Sequence, residues 1–106
     1  MKIFVIDFSG SNYLAEYFDK NHDVFVENLD GGTAYKQIGQ IMPDKIFINY
    51  KDKPSHGRQT GVAIKRRKKT SSIPIYFVDG NKEENEKIKS IGRVIETKDI
   101  ENCIFD

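Results

Sequence analysis

"PDKIFINYKDKPSHG", residues 43–57, is the stretch on which the reading of this chain turns. A short apolar strand follows Pro43, runs out at Asn49 and opens into a charged loop. Runs of the same character stand at "KIFVIDF" (2–8), "DVFVENL" (23–29) and "PIYFVD" (74–79), with a weaker fifth at "RVIET" (93–97). They are rich in Ile, Val, Phe and Tyr, as strands covered on both faces are.

Segments of helical character lie between these runs. "SNYLAEYFDKN" (11–21) spaces Tyr13, Leu14, Tyr17 and Phe18 as one buried stripe, with Ser11 or Asn12 as the cap. "DGGTAYKQIGQIM" (30–42) brings Ala34, Ile38 and Ile41 to one side before Pro43 ends it. A third helix is expected over 58–70, weakly apolar, with the small Thr60 and Gly61 able to face a sheet. "NKEENEKIKSIG" (81–92) turns Ile88 and Ile91 inward, pairs Glu84 with Lys87 and stops at Gly92. Strand and helix alternate through the chain, which predicts a parallel sheet with helices on both faces: a three-layer α/β/α sandwich with right-handed crossovers. Ligands in such folds sit at the carboxyl ends of the strands. Here those ends carry Asp7, Ser9 and Ser11, then Asn28, Asn49, Asp79 and Lys98.

The 106 residues suit a single domain spanning 1–106, and 38% apolar with 31% charged residues is a globular composition. No apolar run approaches the roughly 18 residues that cross a bilayer. Asp7 interrupts the first apolar stretch too early for a secretory leader, so a cytoplasmic location is expected, with no membrane partner. One cysteine and two histidines make neither an internal disulfide nor a zinc cluster, and no cofactor or metal is expected.

"PDKIFINY", the following Gly57 and "IPIYFVDG" together resemble the receiver domain of bacterial response regulators, the chemotaxis-type flavodoxin-like fold. The spacings from Asn49 to Gly57 and from Gly57 to Pro74 match that family without a gap, and "VIDFSGSN" is similar to the end of its first strand. The resemblance implies five parallel strands in the order 2-1-3-4-5 and a phosphorylation pocket at their ends. In that family an acidic pair holds magnesium, an aspartate accepts the phosphoryl group, a hydroxyl residue reports it and a lysine neutralises it. Each part answers the charge that phosphoryl transfer spreads over oxygens. On this chain Asp7 matches one of the acidic pair, but the other position is Ile6. Asn49 stands at the acceptor position, and its amide is neither ionised nor nucleophilic. Asp79 stands at the hydroxyl position, and Lys98 falls close to the lysine. Asp52, three residues beyond the acceptor position, is a remote substitute acceptor. Only eight residues follow Lys98, so the final helix is expected to be short. The pocket of Asp7, Asn49, Asp79 and Lys98 thus reads as degenerate, in a non-catalytic module that works without phosphorylation.

The second distinctive stretch is basic. Residues 51–70 carry a net +7 and the remainder −6, a polarity that steers anionic partners to one side. His56 and Arg58 form a candidate anion-binding loop beside the strand ends, weighed against a plain exposed turn. Lys65, Arg66, Arg67, Lys68 and Lys69 exceed what a helix end needs for its dipole, and successive helical residues cannot share one face. A protein partner with an acidic surface is the first expectation for this patch. Nucleic acid is the second, since phosphate contacts favour such a cluster, but no aromatic side chains interleave it for stacking. A small-anion or metal sensor at the strand ends is the third. No nucleophile elbow or phosphate cradle accompanies Ser9, Ser11, Ser55 and His56, so catalysis is not expected.

Overall fold

Five strands assemble in the computed structural model, which describes residues 1–18 and 21–104. They are β1 (Lys2–Ile6), β2 (Asp23–Glu27), β3 (Lys45–Asn49), β4 (Ile75–Val78) and β5 (Arg93–Ile95), parallel throughout, in the order β2-β1-β3-β4-β5. The helices are α1 (Gly31–Ile41), α2 (Pro54–Arg66), α3 (Lys82–Glu86) and α4 (Ile100–Ile104), with 3₁₀ turns at Tyr13–Tyr17 and Thr97–Asp99. The sheet order is the one that the sequence resemblance implied.

The central strands β3 and β4 are buried end to end, and β1 from its second residue onward. Because successive side chains in a strand point to opposite faces, they split the core in two. On one face Phe4, Ile6, Ile46, Ile48 and Phe77 meet Ala34 and Ile38 of α1, Ile64 of α2 and Ile88. On the other, Ile3, Val5, Phe47, Tyr76 and Val78 meet Leu14, Phe18, Ile100, Cys103 and Ile104. The sheet is therefore the middle of three layers. No helix among the described residues is long and apolar enough to cross a membrane.

Three helical expectations are corrected. The segment after β1 forms a 3₁₀ turn rather than an α-helix, its Asn12 is left-handed (φ 55°) without a side-chain cap, and Tyr17 is 52% exposed. The cause is local: the Asp7 carboxylate accepts the Leu14 N–H at 3.3 Å, tying the start of the turn to the strand end. Residues 19 and 20 of that stretch lie outside the described residues. Next, α2 begins at Pro54, four residues early, because proline at its first position supplies a helical φ and needs no N–H partner. It also ends early. Arg67 is extended, and the Thr70 hydroxyl donates to the Ile64 carbonyl at 2.7 Å, so Arg67 to Lys69 leave the helix. Last, α3 covers only five residues behind the Asn81 cap, whose oxygen accepts the Glu84 N–H at 2.8 Å; Ile88 is still buried, from a turn.

A buried lysine fastens the last helix. Lys45 is 7% exposed, and its ammonium donates to the Cys103 and Ile104 carbonyls, satisfying the acceptors that a helix leaves open at its carboxyl end.

Candidate functional site

β1, β3 and β4 are neighbours in the sheet, so the residues that end them are neighbours in space. Asp7 follows β1, Asn49 is the last residue of β3, and Asp79 follows β4. Asn49 holds the centre. Its Nδ2 donates to Asp7 Oδ1 at 2.8 Å and to Asp52 Oδ2 at 3.2 Å. Its Oδ1 accepts the N–H groups of Lys51 at 2.9 Å and Asp52 at 3.3 Å, and these backbone donors fix which end of the amide is oxygen. The amide thereby spends both its hydrogens on two carboxylates.

Asp7 is fully buried, and its carboxylate also accepts the Ser9 N–H at 3.0 Å. Burial alone would raise its pKa; the hydrogen bonds from the Asn49 amide, Ser9 and Leu14 outweigh that and hold it below the ordinary aspartate value. Tyr13 closes the group, its hydroxyl donating to Asp79 Oδ2 at 3.2 Å and Asn49 Oδ1 at 3.4 Å. Burial pushes its phenol pKa up, helped by the charge of Asp79 and its hydrogen bond, and then by Asp7 and Asp52. Asp79 is left-handed (φ 62°), which turns its other oxygen to the Thr97 N–H at 3.0 Å. The result is a closed network of three carboxylates, one amide and one phenol, in which the central group is a donor. Among the described residues no group of three or more His, Cys, Asp or Glu is arranged to hold a metal ion. Ile6 points away, into the core under α1 and α2.

Lys98 is not part of this cluster. Its side chain is 76% exposed and pairs with Glu96 at 3.2 Å, because the chain turns into a 3₁₀ coil at Thr97 and presents a backbone N–H to Asp79 instead. Tyr13 and Asp52 are the members that sequence reasoning missed. The helical spacing puts Tyr13 on a buried stripe, and periodicity carries no sign that the turn swings it toward the strand ends. Asp52 enters the sequence reading only as a substitute acceptor, although its spacing from Asn49 allows a local hydrogen bond.

The two basic features are also redistributed. His56 and Arg58 lie in the first turns of α2 and face different neighbours. Arg58 reaches the Glu84 carboxylate at 3.1 Å and the Tyr50 hydroxyl at 3.4 Å, whereas His56 packs edge-on against Phe8 at 6.3 Å between ring centroids. They do not form one anion loop. In the 65–69 run, Lys65 donates to the Ser71 carbonyl at 3.1 Å and the Ile73 carbonyl at 2.9 Å, and burial lowers its pKa. Arg67 lies 4.8 Å from the centroid of the Tyr35 ring and covers Gly39. That leaves Arg66, Lys68 and Lys69 exposed to solvent.

The N-terminal domain of a response regulator receiver protein from Methanoculleus marisnigri JR1 superposes on this chain with a TM-score of 0.69, over 98% of this chain and 89% of that one, at 18% identity. The chain has the receiver fold. It is also similar to a solved fusion carrying amino acids 181–211 of the yeast Spc42 trimeric coiled coil, with a TM-score of 0.73, 21% identity, and 99% and 74% of the two chains covered. No protein-family model and no curated protein matches the sequence. At these identities the likeness speaks for fold, and the residues at the strand ends must speak for chemistry.

Proposed function

We propose that the chain is one receiver-like unit, a non-catalytic signalling or adaptor module that does not accept a phosphoryl group and acts through contacts with an acidic protein surface. The observation that carries this reading is the Asn49 amide, which gives one hydrogen to Asp7 and the other to Asp52. A receiver pocket needs a nucleophilic carboxylate at that point and a divalent cation beside it. This one has a neutral side chain whose hydrogens already compensate the neighbouring charges. Asp52 is no replacement, since its carboxylate is engaged by the same amide. Incubation with magnesium and acetyl phosphate, read by intact mass, is expected to leave the mass unchanged. A stoichiometric gain of one phosphoryl group, mapped to Asp7, Asp52 or Asp79, overturns the reading.

The partner surface proposed is the exposed basic turn of Arg66, Lys68 and Lys69 together with the outer side of α2. Nucleic acid is the competing occupant of that surface. Generic double-stranded DNA at low ionic strength separates the two: salt-dependent binding supports nucleic acid, and its absence supports an acidic protein.

A further inference from the structure

A cleft of about 720 Å³ opens between α1, α2 and the segments that follow β1 and β2, beside the Asn49 network, since Ser9 in its lining donates its N–H to Asp7. Its apolar walls come from Phe8, Tyr35 and Ala63, and Lys53 and His56 stand on one lip. α1 and α2 approach closely along it: a Cβ on Gly31 would fall 2.5 Å from Thr60 Oγ1, so a larger residue there would displace that hydroxyl or the helix. Tyr35, in its lining, is held by Arg67 placed over its ring. His56 is exposed at the cleft and packs edge-on against Phe8, so its imidazole can offer an N–H to an anion there. The cleft is thus built from packed groups rather than from a gap between loose chains.

We propose that this cleft binds a small aryl carboxylate, its ring between Phe8, Tyr35 and Ala63 and its anionic group at Lys53 and His56. The volume lies within the range of small-molecule sites, whose character is a mostly apolar wall with a few convergent polar groups. Charge decides the sign. The one acid in the lining, Asp30, is committed to α1: it accepts the N–H groups of Gly32 and Thr33, each at 3.2 Å, and the Thr33 hydroxyl at 2.8 Å. Its charge is compensated by the helix it caps, so the unspent charge at the lip is that of Lys53. Lys53 begins α2 in a left-handed conformation (φ 50°) with no capping bond from its side chain, which leaves its ammonium exposed beside the cleft mouth. Two other occupants fit less well. A bare inorganic anion would leave the aromatic walls wet, and an amine would meet Lys53.

Phenylacetate is the probe. Titrated into isotopically labelled protein up to about 20 mM, it is expected to shift the amide signals of Gly31, Gly32, His56, Gln59 and Ala63 in a saturable way, with Kd on the order of 1 mM. Phenylacetamide, which keeps the ring, and acetate, which keeps the charge, are expected to bind about tenfold more weakly. Lys53→Gln, a surface change, is expected to weaken phenylacetate about threefold. Ala63→Phe fills the cleft and abolishes the shifts while the rest of the spectrum stays dispersed. No saturable shift at the cleft, equal response to the amide, or shifts confined to the basic turn at 66–69 overturns the proposal. Neither result tests phosphoryl acceptance at Asn49, so the receiver-like reading stands or falls separately by its own mass measurement.

Discussion

At the scale of the residue, the site depends on Asn49 being an amide. Replacing it with the acid of almost identical shape removes two donors and sets a third charge between Asp7 and Asp52, 2.8 and 3.2 Å from the present nitrogen. Asn49→Asp is therefore expected to lower stability by about 2–3 kcal/mol at neutral pH in the absence of divalent cations, measured by urea unfolding. The pH dependence gives an internal check. In the variant, the new carboxyl has a folded pKa raised by its neighbours, so stability returns as pH falls toward about 5. In the natural protein, Asp7 has a folded pKa below its unfolded value. Its contribution is complete above about pH 4 and is lost as pH falls through the depressed value, and Asp7→Asn is expected to flatten that acid limb. Opposite slopes on acidification mark the two carboxylates; parallel slopes would mean that the amide does not compensate Asp7. Much of this cluster was legible beforehand, because strand ends that are neighbours in a parallel sheet must converge. Lys98 and Tyr13 were not, since both sit in turns where side-chain direction follows hydrogen bonds rather than period.

Among the elements, α2 shows why the strands were easier to read than the helices. A central strand is buried on both faces and announces itself in composition, whereas α2 faces the sheet with Gly57, Thr60, Gly61 and Ile64 and has little apolar pattern to detect. Pro54 carried a start signal that the reading of 58–70 passed over, and the end of α2 is marked by Thr70, whose hydroxyl donates to a helical carbonyl from beyond the helix. Its glycines differ in kind from Gly39 of α1. A Cβ on Gly61 would lie 2.7 Å from Phe77 Cζ, a ring held in the core, while one on Gly39 would meet the guanidinium of Arg67, the far end of a long side chain that can re-seat. Gly61→Ala is expected to destabilise by about 1–3 kcal/mol despite the gain in helix propensity, and Gly39→Ala to stay within about 1 kcal/mol of the natural protein. Urea unfolding of the two variants side by side decides whether close packing or propensity governs these helices. For α4 the decisive residue comes from a strand. Lys45→Met keeps the stem but leaves the Cys103 and Ile104 carbonyls without their donor, so a loss of about 1–3 kcal/mol is expected, with hydrogen exchange accelerated first over residues 100–104.

Over the whole molecule, folding divides the basic run read from the sequence. A run of five cations looks like one feature when written on a line. Folding assigns Lys65 to the carbonyls of the turn that follows it and Arg67 to the face of Tyr35, and only Arg66, Lys68 and Lys69 keep their charges unspent in water. The distinction follows from where the helix stops, which no count of charges reveals. It also separates two sets of variants that composition alone would treat as equal. Reversing Arg66, Lys68 and Lys69 to Glu together is expected to leave the melting temperature within about 3 °C, because exposed charges contribute little to stability. The same triple variant is expected to lose retention on a polyanionic resin at physiological ionic strength, since steering and rim contacts depend on those charges. Reversing Lys65 and Arg67 instead places carboxylates against carbonyl oxygens and an aromatic face, and is expected to lower the melting temperature by about 5 °C or more. If the triple reversal melts early, or if the double reversal is silent, the division of the run into structural and free cations is wrong, and the partner surface has to be sought elsewhere on the molecule.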